Sequence, residues 1–359
     1  MKAILQQMVD KMSVAEKEEL MADLKAAIAE DLAAGAAGDP ERCPRCGCPR
    51  FTRKGRGADG SQRWLCRGCG RTFGAGALGL LARSKLAPGV WASYVEHMVA
   101  GESLQRCADL CGVCLKTSWF MRMRVCEVMR NVLAPFRGGA GLSVQIDEKY
   151  LSESFCGNRD RARVKMPREA HANGNSVHRR GLSKLKACVV TLVNDLGDCA
   201  CEVVGRGKPT RGEVERGIGG CDLGGSTVTT DSLASYVSPL RDAGVAAHNR
   251  YNASAGDGDG VGMVNALHER MSSFLSRFNG VSTRRLQRYM WWFCWTEQVR
   301  RSDASAAESL RAHVANGAYR VTRAMLTDEP QPFWEYWEGR LPEVTDDDLW
   351  GPEAMSILV

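Results

Sequence analysis

Two cysteine pairs constrain this chain more than any other feature. Cys43-Pro-Arg-Cys46 and Cys66-Arg-Gly-Cys69 are separated by 19 residues. Each pair has the spacing with which a turn offers two thiolates to one tetrahedral ion, and the gap suits a short hairpin. Together Cys43, Cys46, Cys66 and Cys69 read as a four-cysteine zinc ribbon. A segment this small buries little core, and a structural zinc, contributing on the order of 10–16 kcal/mol, folds it instead. Cys48 is a spare thiol two residues past Cys46. A small basic zinc module usually addresses a larger machine to a polymer, here nucleic acid.

The chain has 359 residues, enough for two or three domains. No apolar run reaches the roughly 20 residues of a membrane span, and the start lacks a signal-peptide pattern. The 15 cysteines are odd in number and, outside the two pairs, follow no framework spacing. Reduced thiols, and hence a cytoplasmic setting, are expected. Net charge is +6, unevenly spread. Cys43 to Arg130 holds 15 Lys/Arg against 5 acids, whereas Asp328 to Asp348 holds eight acids and one Arg. A basic front with an acidic end suits a binder of an anionic polymer.

Periodicity divides the chain into five parts. Residues 1–40 read as a helix opened by the capping box Ser13-Val14-Ala15-Glu16, then a Gly/Ala linker. The ribbon occupies 41–80, with strands expected at Phe51–Gly57 and Gln62–Cys66. Arg53, Lys54, Arg56, Arg63, Arg67 and Arg71 would make one of its faces cationic. Residues 81–137 have a helix–Gly turn–helix cadence resembling a helix-turn-helix, with Trp119 to Arg130 entering the groove. Arg122, Arg124 and Arg130 are its candidate DNA contacts, a plain helical domain being the alternative. Cys107, Cys111 and Cys114 read as packing rather than a second metal site.

Residues 138–303 alternate differently. Strands are expected at 143–152, 186–194, 199–205, 226–231 and 245–248, and helices at 210–218, 233–243, 262–278 and 282–300. This order gives an α/β domain with a mixed sheet. The Arg-rich stretch 159–184 is expected to touch a DNA backbone. His268 reads as packed or helix-orienting, and Trp291, Trp292 and Trp295 as a core stripe. Residues 304–359 form an acidic tail.

Two acids stand out by position. Asp147 lies in the first strand of this domain, and Asp231 ends a strand just ahead of a helix. Acids at strand ends of an α/β sheet often converge at one edge, where paired carboxylates can hold divalent ions. Asp231 would serve equally well as a helix cap.

Three segments resemble the catalytic motifs of DDE/N-type insertion-sequence transposases of the subgroup with an N-terminal zinc ribbon. They are Ile146-Asp-Glu-Lys-Tyr150, Thr229-Thr-Asp-Ser232 leading to Tyr236, and Val264-Asn-Ala-Leu-His268. Asn279-Gly-Val-Ser-Thr283 with Leu286, Tyr289 and Trp292 resembles the segment that follows them. The resemblance implies an RNase H-like core in which Asp147 and Asp231 bind two Mg²⁺ ions and Asn265 completes the site. It also implies nicking at element ends, attack of the freed 3′-OH on target DNA, and assembly as an oligomer on double-stranded DNA ends. The similar family usually has a Lys or an acid on the Asn-bearing helix, and here no Lys follows Asn265. Arg270 or Arg277 could replace it, and Glu269 could replace Asn265 as third ligand. A non-catalytic zinc-ribbon DNA binder (a domesticated or inactive transposase) and a nuclease without strand transfer are the other readings.

Overall fold

The computed structural model describes residues 12–17, 40–57, 62–74, 84–157, 186–251, 258–278, 280–301, 310 and 322–333. The basic stretch 159–184 lies outside them, as do the apolar positions Leu20–Ile28 and the acids after Phe333. The chain divides into two compact units, 1–132 with 302–324, and 133–301 with 325–359.

In the first unit, Ser13 and Glu16 form the expected reciprocal cap: Glu16 accepts from Ser13 N at 2.7 Å, and Glu16 N donates to Ser13 Oγ at 3.3 Å. The cysteine segment is a three-stranded antiparallel sheet, β1 (Phe51–Arg56), β2 (Gln62–Cys66) and β3 (Thr72–Gly74). The third strand was not expected from the sequence, because three residues are too few to display a period. Its Phe73 stacks on Trp64 at 6.1 Å and meets Phe51 edge-on at 5.6 Å. Those rings, with Cys43 and Cys66, are nearly all the core this sheet has.

Three helices follow: α1 (Pro88–Val99), α2 (Leu104–Leu110) and α3 (Leu115–Val132). Ser103 caps α2 through Arg106 N at 3.1 Å, and Gly112 turns the chain at φ 62°. The structure corrects one expectation here. Met121 to Met129 of α3 are all buried, so Arg122 and Arg124 are not available to phosphates. Arg122 donates to the Glu102 carbonyl at 2.6 Å and to Cys107 Sγ at 3.5 Å. Arg124 sits over the rings of Trp91 and Phe120, at 5.7 and 5.6 Å. The cation–π faces and buried carbonyl replace the water that each guanidinium gave up. Arg130, by contrast, keeps an exposed side chain beside Glu127.

The second unit is built on a mixed five-stranded sheet. Its strands are β4 (Ser143–Ser152), β5 (Lys186–Asn194), β6 (Cys199–Arg206), β7 (Thr227–Asp231) and β8 (Ala247–Tyr251), in the spatial order β6-β5-β4-β7-β8. β4 pairs antiparallel with β5 and parallel with β7, and β7 pairs parallel with β8. The last strand starts at Ala247 rather than Val245 and runs to Tyr251, past the expected end at 248. Val144 and Ile146 of β4 pack on one face with Val190, Leu192, Val228 and Leu240. That face is covered by α4 (Arg211–Ile218), which opens with the capping box Thr210–Glu213, and by α5 (Val237–Asp242).

Two long helices, α6 (Gly262–Ser276) and α7 (Leu286–Arg300), complete the unit. Phe274, Phe278, Tyr289, Trp292 and Phe293 interlock between them, with ring centroids 4.9–5.9 Å apart. Trp292 and Trp295 are buried as the core stripe required, while Trp291 is half-buried and carries Arg288 over its ring. No helix among the described residues is long and apolar enough to cross a membrane.

Candidate metal centres

The cysteine cluster is built from two copies of one turn. Cys43-x-x-Cys46-Gly47 and Cys66-x-x-Cys69-Gly70 each end in a glycine at positive φ, 73° and 66°. Each glycine N–H donates to the carbonyl of the first cysteine, at 2.9 and 3.1 Å. A side chain would strain both positions, so the glycines are part of the signal in the sequence. The four Sγ atoms lie within 4.8 Å of one another, with Cys43–Cys69 at 3.8 Å and Cys46–Cys66 at 3.5 Å. A tetrahedral ion at the usual zinc–sulfur distance of about 2.3 Å requires edges of about 3.8 Å, so the donor set fits zinc. Cys66 Sγ also accepts from Gly68 N at 3.3 Å and Cys69 N at 3.5 Å, bonds that orient the sulfur. Cys48 is turned away and donates to the Arg50 carbonyl at 3.7 Å. Cys107, Cys111 and Cys114 form no such group among the described residues.

The second centre lies in the mixed sheet. In the parallel pair, Ser143, Val144 and Gln145 of β4 stand opposite Thr227, Val228 and Thr229 of β7. Two residues further along each strand come Asp147 and Asp231, on the same face because strand side chains alternate with period two. Carboxylate oxygens of Asp147, Asp231 and Glu148 lie within 4.8 Å of one another. Glu148 was not anticipated. As Asp147's neighbour it belongs to the opposite face of β4, and alternation argued against it. Its carboxylate is fixed there by the buried Tyr236 hydroxyl, which donates to Glu148 Oε1. Both clues were in the sequence, as the Asp-Glu doublet and the Tyr five residues after Asp231.

Asp231 also serves as the local cap foreseen for it: its Oδ1 accepts from Leu233 N at 2.9 Å. The cap and the centre are compatible, because a carboxylate has two oxygens. Burial, joined by the Asp231 charge and opposed by a backbone hydrogen bond, pushes Asp147 up to about 6. Burial pushes Glu148 to about 7, with the Tyr236 hydrogen bond opposing and the charges of Asp231 and Asp147 adding. Three acids this close repel one another, and a divalent cation is the natural neutraliser.

Helix α6 approaches from the Asp147 side. Its first turn is anchored where Val264 N donates to Gln145 Oε1 at 3.0 Å. Buried His268 has Nε2 2.7 Å from Thr191 Oγ1, and its Nδ1 is 3.8 Å from Asp147 Oδ2. Burial and the nearby Lys149 charge hold this imidazole down to about 4, so it is neutral at neutral pH. Asn265 lies one turn earlier on the same helix and is exposed. Glu269 is exposed and stands outside the carboxylate set, which argues against it as third ligand. Arg270 is engaged with Glu297 at 2.8 Å, while Arg277 is exposed at the end of α6.

Fold and sites thus define a mixed α/β protein with a cysteine cluster suited to zinc and an acidic set suited to Mg²⁺. No protein-family model matches the chain, and no curated protein matches it either.

Proposed function

We propose that this chain is a metal-dependent DNA transposase of the DDE/N type, with a zinc ribbon and an RNase H-like catalytic domain. The observation that carries the reading is the meeting of Asp147 and Asp231, 84 positions apart in sequence, at matched positions of adjacent parallel strands. Three segments suggested the activity from sequence, and two of them supply these acids. The mixed sheet supports an RNase H-like core, and the paired turns of the cysteine cluster support a ribbon.

Divalent cations at such a site polarise an attacking oxygen and neutralise charge on the leaving oxygen of a phosphodiester. Asp147 and Asp231 would supply the anionic ligands, and Glu148 a third carboxylate from the same strand. Leu233 N fixes the Asp231 carboxylate and Tyr236 fixes that of Glu148, so the oxygens are oriented before any cation arrives. Asn265 would complete the site from α6 as a neutral oxygen donor. Exposed β1, with Arg53, Lys54 and Arg56, suits contact with a DNA backbone.

The test is cleavage of duplex DNA carrying the sequences that flank the coding region, with Mg²⁺ or Mn²⁺. The wild-type chain should nick it at defined positions. Asp147→Ala and Asp231→Ala should lose cleavage by at least about 100-fold yet retain DNA binding. Unimpaired cleavage by either variant would refute the active site. Binding without cleavage by the wild type would favour a non-catalytic DNA-binding protein.

A further inference from the structure

The hydrogen bonds around His268 fix where its proton lies. Thr191 has a single hydroxyl proton, and it is donated to the Asp147 carbonyl oxygen at 2.8 Å. Towards His268 Nε2, at 2.7 Å, Thr191 Oγ1 can therefore only accept. Nε2 is the donor, which leaves Nδ1 as the ring's metal-ligating atom. Reversing the ring would put a carbon against the hydroxyl, so the orientation is fixed as well. Nδ1 faces Asp147 Oδ2 at 3.8 Å, too far for a hydrogen bond. The two ligating atoms face each other in a buried place, His268 being only 7% exposed.

A cation fits between them. Ligand bonds of about 2.1 Å place two donors between about 3.0 Å apart at a right angle and about 4.2 Å apart in line, and the gap falls within this window. The other ring nitrogen is held as metal-bound histidines usually are, by a partner that fixes tautomer and direction. His268 lies outside the set formed by Asp147, Glu148 and Asp231, so the ion it faces is a second one, with Asp147 between the two.

We propose that His268 Nδ1 and Asp147 Oδ2 ligate a second divalent cation, and that the nitrogen makes this position prefer Mn²⁺ to Mg²⁺. Imidazole suits transition ions, whereas Mg²⁺ favours oxygen ligands throughout. The inference rests on the carboxylate centre described above and adds to it a ligand and an ion preference.

The experiment is pulsed electron paramagnetic resonance of Mn²⁺ added to the zinc-loaded full-length protein. Directly coordinated imidazole gives a ¹⁴N modulation of the bound Mn²⁺ signal, to which the diamagnetic zinc contributes nothing. The modulation should be present in the wild type and lost in His268→Ala. Thr191→Val, which keeps shape but frees the ring, should weaken Mn²⁺ binding at this position by about 10-fold or more. Mn²⁺ bound in an Asp231-dependent manner without ¹⁴N modulation would overturn the His268 ligand and leave the carboxylate centre standing. Failure of the wild type to bind Mn²⁺ at all would overturn both.

Discussion

Gln145 Oε1 accepts the backbone N–H of Val264 at 3.0 Å, tying the first turn of α6 to the strand that carries Asp147. The residue preceding α6, Val261, provides no side-chain cap, so a glutamine from another element does the capping. One hydrogen bond thereby ties the helix start to β4, one turn before His268, whose Nδ1 is 3.8 Å from Asp147 Oδ2. Gln145→Ala should cost about 1 kcal/mol, as the loss of a cap does. Hydrogen exchange should show faster opening confined to residues 262–266, whereas unchanged protection there would remove Gln145 from this role.

Tyr236 and Glu148 make a separable prediction about cation affinity. Glu148→Gln removes a ligand charge, and Tyr236→Phe removes only the hydrogen bond that orients it. Both should weaken Mn²⁺ binding, Tyr236→Phe by about 10-fold and Glu148→Gln by more. Calorimetric titration of the zinc-loaded protein measures both. Equal affinity for Glu148→Gln and wild type would exclude Glu148 from the centre.

The acids also predict a pH dependence. Asp147 and Glu148 titrate higher in the folded chain, near 6 and 7, than in the unfolded one, near 4. Between those values the folded state binds more protons, so stability from these groups is full below about pH 4. It is lost as pH rises through 6 and 7. The loss is on the order of 6 kcal/mol for the pair over that whole range. Relative to the Asp147→Asn/Glu148→Gln double variant, the wild type should therefore fall in melting temperature between pH 5.5 and 8. Mn²⁺ added at pH 8 should restore the wild type and leave the variant unchanged.

Removing the sulfur ligands should act locally. Cys66→Ser should unfold the sheet β1–β3, whose core is little more than Trp64, Phe73 and Phe51. Exchange in residues 51–74 should become fast while that of β4 to β8 is unaffected. Cys48→Ser should leave both untouched, since Cys48 Sγ points to the Arg50 carbonyl.

Arginines of α3 should separate by burial. Arg122→Ala strips a donor from the Glu102 carbonyl inside the helical core and should destabilise the fold by about 1–3 kcal/mol. Arg130→Ala should stay within about 0.5 kcal/mol of the wild type, being exposed. Thermal unfolding distinguishes the two.

The strands were readable where alternation ran long enough: β4 and β5 span the residues their pattern indicated. β3 was hidden by its three-residue length, and β8 by the Gly- and Asp-rich sequence that follows it. Arg122 and Arg124 misled because positive charge in a helical repeat reads as surface, whereas Trp91, Phe120 and a buried carbonyl make interior places for them. Within the centre, Asp147 and Asp231 were legible from their strand positions. Glu148 was not, because period-two alternation assigns it to the opposite face, where the tertiary position of Tyr236 holds its carboxylate. The link from His268 through Thr191 to Asp147 joins three elements, and no local pattern encodes it.

Anomalous scattering from crystals of the zinc-loaded protein soaked in Mn²⁺ tests the central claim most directly. A manganese peak should lie within about 2.3 Å of carboxylate oxygens of Asp147, Glu148 and Asp231, with zinc at the four cysteines as internal control. Zinc density at Cys43, Cys46, Cys66 and Cys69 with no manganese at the three acids would contradict it.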